Sequence, residues 1–581
     1  MKKHFILVLA GAILALFLIA GCGTTGRAGR ISFTPGTHTG TAIAYGGPIV
    51  VDVTFSRNRI TNVVVREHAE TPYYSDMAIR RIPMQIVEGQ TLNVDVVTGV
   101  TITSMAILAA VSDAVEQANG DVTALRNAPR PVIARGQDLT LNADVLVIGG
   151  GAAGLMAAKT AAQGGMEVVL LEKLSMFGGG AGISSGVLVS YTDNTRSQNN
   201  FTASQMFELF MERGNRRGDP VITERIIGMS LNIVKMFEGF GVEFFGRNDM
   251  VQPHLPQPYL SIPDRYLRFL RSTSGMKLIN PLLYQIERTG NVTILTECRA
   301  DALLTDNSGA VTGAVGTRLD GSRVTVNAGA VVIATGGFDR NMELMDAHQP
   351  FHRVASRVSG SGNTGDGILM AQAVGADMAW VPYAALGSNW GRVPTPGNFL
   401  LVGDSGRRVA REGYFYENVA QQVITSGDSR FYRVFDSNYA TPAHAEAAAN
   451  GIIARADTIE GLANMIGVNS SVFLATVARY NSFIGMDDPD FGKDRSLMTG
   501  VIRAPFYAVQ AGPEILTTLG GIRINENAQV LDINGNIIPS LYAAGDTANG
   551  VIFTGRYPTS GAGLIFAFAT GIIAANMILG N

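Results

Sequence analysis

The run ADVLVIGGGAAGLMAAKTAAQGGMEVVLLEK, residues 143–173, decides the fold. It opens with a short, β-branched apolar stretch, as a strand buried on both faces does. Gly149, Gly151 and Gly154 then give G-x-G-x-x-G where the strand passes into an alanine-rich helical run. A second apolar strand follows and ends in Glu172, about 20 residues past the glycines. Glycines at this spacing allow a tight turn and let a pyrophosphate approach the helix N-terminus, while the acid accepts hydrogen bonds from a ribose. The pattern predicts a Rossmann-like α/β unit that holds a dinucleotide. No second fingerprint of this kind occurs, which leaves no obvious separate nicotinamide domain, so the dinucleotide is inferred to be FAD.

Working outward, the chain has 581 residues, enough for several domains. Hydrophobic residues make up 46% and charged residues 16%, with 68 glycines, a profile suited to a large α/β protein with many tight turns. The formal net charge of -3 argues against nucleic acid as a partner. Two cysteines, Cys22 and Cys298, exclude a disulfide framework and a cysteine metal cluster, and the seven histidines show no metal-ligand spacing. The N-terminal stretch MKKHFILVLAGAILALFLIAGC, residues 1–22, has a basic start, an apolar core and small residues before Cys22, the form of a secretory signal with a bacterial lipobox. The expectation is lipidation of Cys22, anchoring on the extracytoplasmic face of the cell membrane, and a flexible tether over 23–30.

Residues 31–120 read as a small domain. PIVVDVTFSRNRITNVVVREH alternates apolar and polar residues on both sides of Arg57-Asn58, a β-hairpin signal, and YYSDMAIRRIPMQIVEGQ reads as helix. The segment DVVTGVTITS, residues 95–104, precedes another helical run and offers Thr103 or Ser104 as an N-cap. Residues 121–140 are polar, contain prolines and show no sustained period, and read as a linker.

Six further motifs occur in order: GGGAGISSG (178–186), GAVVIATGGF (329–338), NTGDGILMAQAVGA (363–376), GRRVAREGYFYEN (406–418), TTLGGIRIN (517–525) and SLYAAGD (540–546). With them, the chain from 141 to 581 resembles the flavoprotein family of fumarate reductases, urocanate reductases and 3-ketosteroid dehydrogenases. The resemblance implies an FAD domain in two pieces, 141–380 and 519–581, and a capping domain, 381–518, that closes over the substrate. It implies non-covalent FAD contacts at Ala153, Glu172, Gly180, Ala181, Ser185, Gly186, Ala300, Asp366, Asp546 and Ala562. Gly180 and Ala181 stand where relatives often carry Asn and Thr or Ser, so contacts there would come from backbone.

Residues 31–120 resemble the FMN-binding domain found beside such reductases, in which D-x-x-(S/T)-G-A-T receives FMN through a phosphoester on its last threonine. Asp95, Thr98, Gly99 and Thr101 match, Val100 replaces the usual alanine, and His68 and Thr71 in REHAET match a second feature. The resemblance thus implies covalent FMN on Thr101, installed by a flavin transferase and supplied by a membrane or extracellular electron donor.

Reducing an activated C=C bond needs a hydride source, an acid, and groups that hold the carbonyl or carboxylate gaining charge. The family's fumarate reductases use a cap arginine as acid and two histidines and an arginine as clamp. Here Tyr416 stands at the acid position, YAALGSN (383–389) has no histidine, Thr517 replaces the later histidine, and the final arginine falls at Arg556 or Tyr557. Tyr416, and Tyr557 with Gly561, instead resemble the tyrosines and glycine of 3-ketosteroid dehydrogenases. Arg408 or Arg411 is positioned in sequence to depress a tyrosine pKa, and Arg556 to pair one carboxylate. Three readings stay open: a reductase of α,β-unsaturated acids or ketones, urocanate or aryl-enoate rather than fumarate; a dehydrogenase that forms a C=C bond; and an electron-transfer lipoprotein without a substrate site.

Overall fold

The computed structural model describes residues 31–191, 202–246, 268–271, 274–349, 352–388, 393, 398–412, 422–555 and 557–580. Cys22, the signal and tether segments, Tyr416 and Arg556 lie outside the described residues. The chain divides into two compact units, 1–134 and 135–581.

In the first unit, β1 (Gly36–Ile43), β2 (Pro48–Ser56) and β3 (Arg59–Glu67) form an antiparallel meander. The β2–β3 turn falls at the expected Arg57-Asn58. Ile49, Val51, Val53 and Phe55 alternate inward along β2 and meet α1 (Asp76–Gly89) and α2 (Thr101–Gln117). Ala106, Ala110 and Ala114 recur every four residues along α2, which leaves room for a close approach to β1. At Gly40 any Cβ would stand 2.8 Å from the Ala114 nitrogen, so only glycine fits there.

The expected linker is shorter than 121–140. Val122–Asn127 forms α3, capped by Asp121, whose carboxylate accepts from the Ala124 N–H at 2.9 Å. Leu125 is buried, and its carbonyl accepts from Thr91 Oγ at 3.0 Å. Val122 and Leu125 lie three apart in a helix of only 6 residues, too short to show a sustained period, which is why the sequence pattern missed this helix.

In the second unit, β4 (Leu139–Ile148), α4 (Ala152–Gln163) and β5 (Val168–Leu171) form the strand–turn–helix–strand unit. β4 runs parallel to β5 on one side and to Arg323–Ile333 on the other. Val292–Leu295 and Ile537–Ala543 extend the parallel core, and Cys298–Thr305 and Val311–Arg318 add an antiparallel edge. Val145 to Ile148 are buried, as a continuous apolar run in a central parallel strand requires. The apolar helix Ala562–Leu579 is long enough to cross a membrane, but 61% of it is buried, and Gly571 lets it approach α4 closely at Ala157.

Leu400–Gly403, Phe431–Asp436, Phe506–Ala511 and Ala454–Ala456 form a separate sheet. Its core includes Leu400, Val434, Leu462, Phe473 and Tyr480. Between this region and the parallel sheet, Ser356–Arg357, Pro513–Thr518 and Ala384–Ser388 make a three-stranded ladder that ties together the segments on either side of residues 381 and 518.

The capping region is pinned by a buried charge cluster. Arg408 donates to both Glu412 oxygens, at 2.9 and 2.5 Å, and sits between the rings of Tyr480 and Phe491. Its Nη1 lies 2.8 Å from Asp488, a charge pair too oblique for a hydrogen bond. Lys493 donates to Asn398, the Phe399 carbonyl and Tyr480, with Glu412 at 3.6 Å. Burial pulls the Lys493 ammonium down to about 8, partly offset by Glu412. Two carboxylates balance two cations, so removing one leaves a buried charge unmatched. Glu412→Gln is expected to cost about 3–5 kcal/mol of stability, read by chemical denaturation. A change within 1 kcal/mol would sink this account of the cluster.

Candidate functional site

Each unit presents a site. In the first, Thr101 is the first residue of α2 and is exposed, with Val100 at the N-cap and no side-chain cap. The expected capping by Thr103 or Ser104 does not occur. Ser104 Oγ accepts from the Val97 N–H at 3.1 Å and donates to the Val100 carbonyl at 2.9 Å, closing the turn before the helix. Thr103 donates to the buried carboxylate of Glu70. Glu70 also accepts from the Gly46 N–H at 2.5 Å and from Ser75 at 3.5 Å, gathering the β1–β2 turn, the loop after β3 and the start of α2. Gly99 adopts φ +89°, and its carbonyl accepts from Tyr74 at 3.1 Å. Asp95 is drawn to Arg130 at 2.6 Å, and His68 Nδ1 accepts from the Glu70 N–H at 3.3 Å. The surroundings fit a phosphorylated flavin: an exposed hydroxyl at a helix start without a side-chain cap, with exposed Ile102 and Met105 beside it. The sequence pointed to Thr71 here and missed Glu70, its neighbour.

In the second unit an elongated cavity of about 480 Å³ runs along the C-terminal ends of β4 and β5. Gly149, Gly151, Ala153, Glu172, Gly180, Ala181 and Ser185 line it, as do Ala300, Asp366, Asp546, Tyr557 and Gly561. Gly154, Gly186 and Ala562 lie behind the wall. Gly154 backs onto the Gly149 carbonyl, so a side chain there would push α4 away from the turn, and Gly149, with φ +110°, packs against the Ala334 carbonyl, which leaves no room for a Cβ. This is the cradle a pyrophosphate needs. Glu172 is held by the Gly150 and Leu174 N–H groups, both at 2.7 Å, yet burial still raises its pKa. The residues fit FAD: the shaped glycine turn, the oriented acid and the length of the cavity all suit it.

Sequence reading missed several wall groups. Lys173, next to the fingerprint acid, bonds Asp366 at 2.8 Å and also Thr364. Asn363 Nδ2 donates to the buried Asp339 at 3.1 Å, which fixes the loop beside Gly336. Cys298 also lines the cavity, its thiol pushed up to about 11 by burial. The pairing of Lys173 with Asp366 links residues 193 positions apart, so no local pattern could announce it.

At the other end of the cavity, Thr517 donates to Asp546 at 2.7 Å. Asp546 is partly buried, and desolvation raises its pKa against the opposing bonds from Thr517 and Asn549. Between the unfolded value near 4 and the raised folded value, the folded chain keeps a proton that the unfolded chain has shed. Stability therefore falls as pH rises through that window. Asp546→Asn is expected to flatten this fall in the flavin-free protein, measured as denaturation midpoints at about pH 5 and about pH 8. An unchanged pH slope would overturn it.

Tyr557 reaches the cavity with its oxygen accepting from the Gly563 N–H at 2.6 Å, and its ring lies 5.3 Å from that of Phe553. Gly561 has φ +85°, and a Cβ there would stand 2.9 Å from the Leu188 carbonyl carbon and the Val189 nitrogen. Arg213 donates to the Pro558 carbonyl at 2.8 Å, which anchors the segment around Tyr557. Arg408 is paired with Glu412 and Asp488, while Tyr416, the residue whose pKa Arg408 or Arg411 is expected to depress, lies outside the described residues.

The comparisons agree with this geometry. An FAD-binding-domain family matches residues 144–564, and an FMN-binding domain matches residues 44–116. A urocanate reductase of Eggerthella lenta is 30% identical over 98% of this chain and 97% of its own length. An NADH:acrylate oxidoreductase of Vibrio harveyi is 29% identical over 94% of this chain, which spans 61% of that protein. Among solved structures, an open flavocytochrome c3 fumarate reductase superposes with TM-score 0.61 at 23% identity, covering 77% of this chain and 79% of its own. A 3-ketosteroid-Δ4-(5α)-dehydrogenase of Rhodococcus jostii RHA1 gives 0.62 at 24% identity, over 77% of this chain and 99% of its own. These two likenesses show the fold. The chain belongs to the FAD-binding-domain family of flavin-dependent oxidoreductases that act on C=C bonds, and it carries an FMN-binding domain ahead of its FAD domain.

Proposed function

We propose that this protein reduces the C=C bond of an α,β-unsaturated acid of urocanate or aryl-enoate type, drawing electrons through FMN esterified to Thr101 and then FAD. It acts as a lipoprotein anchored by Cys22 on the extracytoplasmic face of the membrane, after a flavin transferase has loaded Thr101. A membrane or extracellular donor supplies the electrons. The observation that carries the substrate class is the state of Thr517. It stands where the family's fumarate reductases place a clamping histidine, and its hydroxyl is committed to Asp546. A neutral group already bonded to the Asp546 carboxyl gives nothing to a second carboxylate, so a monocarboxylate suits the site better than fumarate.

Bound FAD supplies the hydride. The chain's own residues do the rest: Tyr416 donates the proton to the neighbouring carbon, Arg556 pairs the substrate carboxylate, and Tyr557 and the Gly561 backbone shape the wall beside it. Supporting this reading are the acrylate and urocanate reductases among the relatives. Tyr557 and Gly561 on the cavity wall favour a second reading, dehydrogenation of a saturated ketone, as in the ketosteroid enzymes. The deciding experiment reduces the protein anaerobically with a viologen dye and adds urocanate, cinnamate, fumarate or a saturated 3-ketone. Reoxidation by the monocarboxylates, at least about tenfold faster than by fumarate, is expected. In a parallel sample whose flavins are left oxidised, bleaching on addition of the saturated ketone would establish the dehydrogenase, and inertness to every compound in both samples would leave an electron-transfer protein.

A further inference from the structure

A second cavity, about 270 Å³, stands back to back with the first. The strand Ala384–Ser388 separates them: Ala385 lines the first, while Ala384 and Leu386 line the second. Pro513–Thr518 does the same, with Leu516 on the first wall and Ile515 on the second. Tyr557 lines the first cavity and Gly555 the second. We propose that this second cavity is an antechamber that selects monocarboxylates with a compact apolar tail, and that Arg217 at its wall reads the carboxylate. The proposal deepens the reductase reading and rests on it.

Four observations carry it. Arg217 is the one permanent charge among the described lining residues, and no Asp or Glu joins it. Its guanidinium has no ion pair among the described residues, whereas the neighbouring Arg216 pairs with Glu208 at 2.7 Å. Both ring nitrogens of His352, also on the wall, are engaged, Nε2 with Asp346 at 2.6 Å and Nδ1 with Arg357 at 3.3 Å. Aliphatic side chains from both the capping region and the ladder, Ile424, Leu386 and Ile515, supply an apolar face, beside the neutral polar Asn215, Gln349 and Thr425. One open cation beside an apolar face complements one carboxylate on an apolar body.

The backbone that presents Arg217 is strained and braced. Asn215 and Arg216 take φ +56° and +53° in succession, a conformation side chains rarely adopt. The Arg216 N–H bonds the Met211 carbonyl at 2.6 Å and the Asp219 N–H the Val551 carbonyl at 2.8 Å. Asn215 also packs against Gly555, where any Cβ would stand 2.7 Å from its Nδ2. Strain held in place by several bonds marks a residue whose position matters.

The test uses the flavin-loaded full chain with cinnamate and the uncharged cinnamamide. Arg217→Gln is expected to raise KM for cinnamate about tenfold with kcat changed less than about twofold, to leave the amide unaffected, and to be largely rescued by Arg217→Lys. An unchanged KM, or equal effects on acid and amide, overturns the proposal. If the unmodified protein turns over neither compound, the reductase reading has failed, and calorimetric binding of 3-phenylpropanoate decides the antechamber separately. Binding about tenfold weaker in Arg217→Gln, with 3-phenylpropanamide unaffected, supports it. Equal binding, or none in the unmodified protein, overturns it.

Discussion

Thr101→Ala is expected to yield a folded protein that keeps its FAD and carries no covalent FMN. Thr101 is exposed at the first position of α2, and its hydroxyl does not cap the helix. Alanine suits that position, so stability should move by no more than about 0.5 kcal/mol. The flavin-binding cavity of the second unit contains none of the residues around Thr101. The readout is the mass of the peptide holding residue 101, after expression with a flavin transferase, together with flavin fluorescence of the denatured band. Complete loss of the FMN mass is the expected result, with Thr98→Ala retaining it. FMN still attached in Thr101→Ala would move the attachment elsewhere.

The second large effect concerns Tyr416. Removing a positioned proton donor costs about 10²–10⁴-fold in rate. Tyr416→Phe should therefore abolish most enoate reduction while leaving both flavins in place. A phenol, whose ordinary value is near 10, is protonated at neutral pH and can act as an acid. Activity should then fall only on an alkaline limb, and Tyr416→Phe should remove that limb from its residual rate. A dehydrogenase would need the opposite form, a phenolate, and would gain rate as pH rises. A Phe variant that retains its turnover would refute the proton-donor role.

Local order was legible where it is written locally. The 143–173 run gave its strand, turn and helix because period, glycine spacing and acid all lie within one short stretch. Thr101 was legible as a motif, but its exposure was not, because that depends on Thr103 and Ser104 finding partners other than the helix start. Glu70 was passed over because its three partners come from three segments. The helix Val122–Asn127 was read as linker because 6 residues are too few to show a period. Lys173 with Asp366, and Arg408 with Asp488, are distant pairings that only the fold brings together.

The capping sheet has its own core and its own charge cluster, and Leu400–Gly403 and Phe506–Ala511, near its two ends, flank the same strand, Phe431–Asp436. A segment that leaves and rejoins the chain at nearby points, and buries its own apolar side chains, can drift without disturbing the sheet it interrupts. Substitutions within the insert can therefore alter which substrate is held, without altering the glycine turn and acid that would hold the cofactor beneath it.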